Sequence, residues 1–142
     1  MRLVCWNVNG LRTLRSYAPW DGLPTLEACL EALQADIACF QEVKMTHRQL
    51  TYAMCVMEAY DAYYDLHPTK GYAGTATYVR RAVCMPRDAQ VGVTGLGQDL
   101  DAEGRCVVLD CGLFVLFNVY APNETDAERL RSEEHTSELQ SR

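Results

Sequence analysis

The stretch Asp36-Ile37-Ala38-Cys39-Phe40-Gln41-Glu42-Val43-Lys44 sets the reading of this chain. Four apolar residues in a row predict a strand buried on both faces, and the amide, carboxylate and ammonium that follow mark its tip. The pattern recurs twice: Arg2-Leu3-Val4-Cys5 runs into Trp6-Asn7-Val8-Asn9-Gly10, and Leu113-Phe114-Val115-Leu116-Phe117 runs into Asn118-Val119-Tyr120-Ala121-Pro122-Asn123. Asn and Glu are costly on buried strands, so three such interruptions predict one shared polar site at the strand tips.

Working outward, residues 2 to 8 read as a buried strand that Asn9-Gly10 closes with turn chemistry, and Arg12 to Gly22 as a loop. Pro24 opens a helix whose Leu26, Cys29, Leu30 and Leu33 share one face, and a strand follows from Ile37 to Val43. Thr46 is placed to cap a second helix running to about Met57, with Leu50, Met54 and Met57 inward. Tyr60 to Leu66 alternates as a strand, and residues 67 to 71 turn it into a second strand over Thr75 to Val79. Val91 to Gly104 reads as a loop, and Arg105 to Asp110 pairs with Leu113 to Tyr120 as a hairpin through Cys111-Gly112. Strand, helix, strand, helix and then mainly strands predicts an α/β fold with a mixed sheet.

A length of 142 residues, 49% of them hydrophobic, fits one domain with a substantial core. No run of about 18 apolar residues is present and the first residues turn polar at once, so a soluble, intracellular protein is expected, away from membranes. The seven cysteines are odd in number and form no Cys-x-x-Cys pair, which predicts reduced, buried thiols. His47 and His67 read as isolated surface residues. The net charge of −6 is not that of a typical nucleic-acid binder. Even so, Arg12, Arg15, Lys44, Arg48, Lys70, Arg80 and Arg81 lie in or beside the segments that follow strands.

Glu42 is the leading candidate in the polar set, because a carboxylate at a strand tip is a hard ligand suited to Mg²⁺ or Mn²⁺. Asn7 and Asn123 supply neutral amides able to orient a carboxylate, a water or a phosphoryl oxygen, and Tyr120 can hydrogen-bond a phosphate. Thiols and imidazoles are absent from the three tips, which favours a hard metal and a phosphate substrate over zinc chemistry. Singly, each residue also fits a solvated carboxylate or an amide closing a turn, and a non-catalytic interaction module remains the alternative from another class.

These segments, with Gly71-Tyr72-Ala73-Gly74-Thr75-Ala76 and Glu103-Gly104-Arg105, resemble in order and spacing the exonuclease III type of apurinic/apyrimidinic endonucleases. The Tyr17-Ala18-Pro19-Trp20 loop is most similar to the second eukaryotic branch of that family, notably its fungal forms. The resemblance covers residues 2 to 123 and implies a four-layered α/β sandwich, of which this chain is the N-terminal half. It further implies Mg²⁺-dependent cleavage of double-stranded DNA 5′ to an abasic site, with 3′-phosphodiesterase and exonuclease action on blocked 3′ ends, in the nucleus or mitochondrion, by a protein not expected to oligomerise. On this numbering it makes Glu42 the metal ligand, Asn7 a metal-site or orienting amide, Tyr120 and Asn123 phosphate-side residues, and Arg12, Lys44, Tyr72 and Asn9 contacts to DNA. Val43, Ala73 and Cys5 depart mildly from the family's usual Thr, Ser and Ser. Other Mg²⁺ phosphoesterases of the same superfamily, such as retrotransposon endonucleases and inositol-phosphate phosphatases, are the competing resemblance.

Residues 131 to 142, Arg131-Ser132-Glu133-Glu134-His135-Thr136-Ser137-Glu138-Leu139-Gln140-Ser141-Arg142, have no hydrophobic period and resemble the in-frame translation of a sequencing-library adapter. A native domain part over residues 1–130 that continues in the gene is therefore expected. The family's Gly-Asp-x-Asn and Ser-Asp-His segments do not occur in the sequence, so the polypeptide is expected to be catalytically silent. Half a sandwich is also expected to leave an apolar sheet face in water and to aggregate or lose order.

Overall fold

The computed structural model describes residues 1–92 and 98–123. The tail from residue 131, and with it the expected domain end near 130, lies outside the described residues.

Two sheets stack face to face. The first holds β1 (Leu3–Asn7), β2 (Ile37–Gln41), β3 (Tyr60–Asp65) and β4 (Thr75–Arg80) in the spatial order β1-β2-β4-β3. β1 and β2 run parallel from Leu3 opposite Ile37 to Asn7 opposite Gln41, and β4 is antiparallel to both of its neighbours. The second holds β5 (Asp88–Val91), β6 (Cys106–Asp110) and β7 (Val115–Val119), all antiparallel. The parallel β1–β2 pair needs a long crossover, and α1 (Leu26–Ala32) lies within it.

β2 is buried at every position, as its unbroken apolar run requires of a strand covered on both faces. On one side Ala38 and Phe40 pack with Leu26, Cys29 and Leu30 of α1, with Met57, and with Tyr60 and Tyr78. Aromatic contacts extend this core from Trp20 to Trp6 (5.4 Å), Trp6 to Phe40 (6.1 Å, edge-on) and Phe40 to Tyr78 (5.9 Å). On the other side Ile37, Cys39 and Val79 meet Val107 and Leu109 of β6. The outward face of β7 presents Val115, Phe117 and Val119, each about half exposed, and α3 (Gln98–Asp101) approaches that face where Leu100 nears Cys106 and Val119.

Several sequence expectations need correction. β1 is not buried: Val4 and Trp6 pack partly buried on the α1 side, while Leu3, Cys5 and Asn7 on the opposite face are exposed. α1 starts at Leu26, two residues later than Pro24 suggests, with the Thr25 hydroxyl accepting from the Ala28 amide at 3.1 Å. The single helix from Thr46 to Met57 is two short pieces. Thr46 and Gln49 close a capping box around one 3₁₀ turn, Leu50 leaves it in an extended conformation, and Thr51 then precedes α2 (Tyr52–Cys55). The reading of Val91 to Gly104 as loop misses the end of β5 and all of α3. Cys5 and Cys55 are exposed, whereas Cys29, Cys39 and Cys106 are buried as expected.

Gly104 shows how tightly the two sheets approach. At φ 77° it is left-handed, and a Cβ there would stand 2.7 Å from the His67 nitrogen and 2.8 Å from the Asp65 carbonyl oxygen. Gly104→Ala is expected to destabilise the fold by more than the roughly 1–2 kcal/mol of the backbone conformation alone, because the obstructing atoms are main chain. Urea denaturation checks this, and an unchanged midpoint would contradict it.

Candidate functional site

The three polar tips meet. β2 stops at Gln41 because Glu42 takes a left-handed backbone, φ 53°, and Lys44 repeats it at 51°. Flanking segments fix this bent stretch through main-chain bonds. Gly10 N donates to Glu42 O at 2.7 Å and Leu11 N to Val43 O at 3.1 Å, while Val43 N and Lys44 N donate to Gly74 O and Ala73 O at 3.1 and 3.0 Å. Gly74 must be glycine for this approach: it sits at φ 87°, and a Cβ would fall 2.6 Å from a Val43 methyl.

The Glu42 carboxylate is the focus. Asn7, at the end of β1, donates from Nδ2 to Glu42 Oε1 at 2.9 Å and accepts the Asn9 amide at 3.1 Å through Oδ1. Lys44 Nζ lies 3.3 Å from Glu42 Oε2 and donates to Asn9 Oδ1 at 2.5 Å. The Tyr120 hydroxyl, beyond β7, also donates to Glu42. The Asn7 bond is the largest cause holding the Glu42 carboxyl below its ordinary pKa. Partial burial opposes it, and Tyr120 and Lys44 reinforce it, so Glu42 is anionic at neutral pH.

The structure thus brings Asn7, Asn9, Glu42, Lys44 and Tyr120 together. Arg12 touches the same segment, donating to Lys44 O at 3.5 Å. Tyr72 stands at the edge, two residues before Gly74, with its ring 4.9 Å from that of His67 and 5.9 Å from Lys70 Nζ. His67 is therefore not isolated: besides this stacking, its Nδ1 accepts the Thr69 and Lys70 amides at 3.1 and 2.9 Å. His47 is exposed. Asn123 is exposed three residues past Tyr120.

Sequence reasoning assigned no role to the residues that hold Tyr120. Arg105 Nε donates to Glu103 Oε2 at 2.7 Å with both side chains buried. The Arg105 guanidinium lies 5.3 Å from the centre of the Tyr120 ring, and Tyr120 N donates to Arg105 O at 2.8 Å. The Glu103-Gly104-Arg105 spacing was visible in the sequence, but an ion pair folded beneath a tyrosine was not.

Mg²⁺ commonly binds through one or two carboxylates, with water and substrate phosphates completing its shell. Glu42 fits that demand: it is an ionised oxygen donor at a partly exposed strand tip, oriented by an amide. Among the described residues no three His, Cys, Asp or Glu side chains form a metal-holding group, so the donor set suits a hydrated hard cation better than a closed thiolate or imidazole cage.

Comparison with known proteins agrees with this geometry. The chain is 32% identical to the DNA-(apurinic or apyrimidinic site) endonuclease 2 of Schizosaccharomyces pombe, over 92% of its own length and 31% of that protein's. It is 33% identical to the Homo sapiens protein of the same name, over 75% of this chain and 21% of the other. The chain therefore spans less than a third of either relative. Among solved structures, the Xenopus laevis APE2 catalytic domain superposes with a TM-score of 0.68 at 30% identity, covering 87% of this chain and 46% of that one. A 3′-5′ exonuclease from Neisseria meningitidis gives 0.65 at 25% identity, covering 87% and 42%. With residues 4–140 also matching the model of the group, the chain belongs to the Endonuclease/Exonuclease/phosphatase family.

Proposed function

We propose that this chain is the N-terminal part of a Mg²⁺-dependent DNA-repair nuclease that cleaves the phosphodiester 5′ to abasic sites and clears blocked 3′ ends. The convergence of Asn7, Glu42, Lys44 and Tyr120 from three strand tips, in a member of this family, supports the reading most directly. Glu42 holds the metal, with Mn²⁺ an acceptable substitute, and Asn7 orients its carboxylate. Such a cation supplies charge neutralisation at the phosphoryl oxygen. Tyr120 and Asn123 donate hydrogen bonds to the phosphate, and Arg12, Lys44, Asn9 and Tyr72 contact the duplex. Arg12 and Lys44, which meet at the same segment, allow this despite the net charge of −6, since phosphate contacts depend on the local face.

Residues 1–130 are the native domain part in this reading, and residues 131–142 are adapter-derived. The nucleus is the proposed compartment. A protein carrying the continuation of the locus past Leu130 is expected to incise a fluorescent duplex 5′ to a single abasic site in Mg²⁺ and to stop in chelator. Preference for an intact duplex or a phosphoinositide would overturn the proposal. The 142-residue chain alone is expected to leave the abasic duplex uncut, because Gly-Asp-x-Asn and Ser-Asp-His do not occur in it. Robust cleavage by the purified chain would show that those segments are dispensable.

A further inference from the structure

The two sheets meet over an apolar patch, and apolar contact holds layers together without fixing where one sits along the other. At the end of that patch nearest the site stands a buried amide. Asn118 of β7, 2% exposed, donates from Nδ2 to Phe40 O at 3.3 Å, Ala76 O at 3.0 Å and Thr77 Oγ1 at 3.0 Å, and its Oδ1 accepts from Gln41 Nε2 at 2.8 Å. Gln41, also buried, reaches Cys39 O at 3.2 Å and Cys5 Sγ at 3.4 Å with the same nitrogen. Hydrogen bonds are directional and a buried polar group left unpaired is costly, so this set is satisfied at one relative setting of the sheets.

That setting is the one the site uses. Gln41 immediately precedes Glu42, Asn118 lies two residues before Tyr120, and the Tyr120 hydroxyl meets the Glu42 carboxylate across the gap between the sheets. We infer that Asn118 is a positioning residue: through its bond to Gln41 it locks the tip of β2 against the end of β7 and so places Glu42 and Tyr120 within reach of one another. The functional meaning rests on reading Glu42 as the metal ligand and Tyr120 as a phosphate-side residue; the positioning itself does not.

The test compares two variants of the whole 142-residue chain. Asn118→Leu keeps the approximate volume and removes the four bonds, while Leu109→Ala weakens the same sheet interface without touching the amides. Two readouts are taken: the nuclear Overhauser contact between the Tyr120 ring and the Glu42 side chain in metal-free protein, and the Mn²⁺ dissociation constant by calorimetry. Asn118→Leu is expected to lose the contact and to weaken Mn²⁺ about 10-fold, the lower end for residues that orient a ligand. Leu109→Ala is expected to melt at a lower temperature and keep both. Retention of both signals in Asn118→Leu, or equal loss in Leu109→Ala, overturns the inference. Should Asn118→Leu fail to fold, Gln41→Met removes the amide pair together with the Gln41 bonds to Cys39 O and Cys5 Sγ, leaves the three bonds donated by Asn118 in place, and is read the same way. Glu42→Ala separates the two levels: undiminished Mn²⁺ binding there would reject the ligand reading, while the contact measurement still decides the positioning role.

Discussion

Replacing Glu42 by alanine is expected to remove Mg²⁺ affinity from the folded chain, a loss of at least about 100-fold, since residues that merely orient a metal ligand already account for 10–100-fold. Calorimetric titration measures it, with the melting curve as the control for folding. The pH dependence follows from the same geometry. A carboxyl whose pKa is lowered in the folded protein stabilises it fully above the unfolded value, and that contribution fades as pH falls through the folded value. Mg²⁺ binding should therefore persist to lower pH than an unperturbed glutamate would allow. Because the Asn7 hydrogen bond is the largest cause of the shift, Asn7→Ala should move the fall to higher pH. A profile identical to that of the unsubstituted chain would show that Asn7 does not tune the carboxylate.

The second large effect concerns the buried pair beneath Tyr120. With side chains 7% and 10% exposed, Arg105 and Glu103 have left water together. Breaking such a pair by removing one partner typically costs about 3–5 kcal/mol, whereas replacing both with neutral groups of similar size is often close to neutral. Arg105→Met should accordingly destabilise the chain by about that amount, and adding Glu103→Gln should restore much of it. Chemical denaturation of the two singles and the double gives the coupling. Additive effects would mean that the pair is held by its other neighbours and not by its mutual charge. Restoration of stability need not restore the site, because the double variant lacks the guanidinium that lies over the Tyr120 ring.

The meeting of Asn7, Glu42 and Tyr120 was readable in the sequence because polar residues interrupt apolar runs at the ends of three strands. β2 and the face of α1 were readable for the same reason, since apolar spacing reports burial directly. What escaped depends on neighbours. β5 is exposed at all four positions and exists by pairing with β6, so the short alternation of Asp88-Ala89-Gln90-Val91 marks no buried face and is too brief to stand out. The break at Leu50 follows from competition between two start signals, Thr46 with Gln49 and then Thr51, which a pattern of inward Leu and Met residues conceals. Asn118 looked like the beginning of a polar tip, but folding turns it inward, where four bonds compensate for its burial.

Of the non-glycine residues with positive φ, Asn9, Glu42, Lys44 and Ala73 all belong to the bent strand tip or the loops that brace it. Left-handed backbone disfavours most side chains by about 1–2 kcal/mol each, and glycine escapes that penalty. A screen that selects variants for heat resistance alone should therefore enrich glycine at 42 and 44, and its winners would be sturdier molecules stripped of the carboxylate and ammonium at this corner.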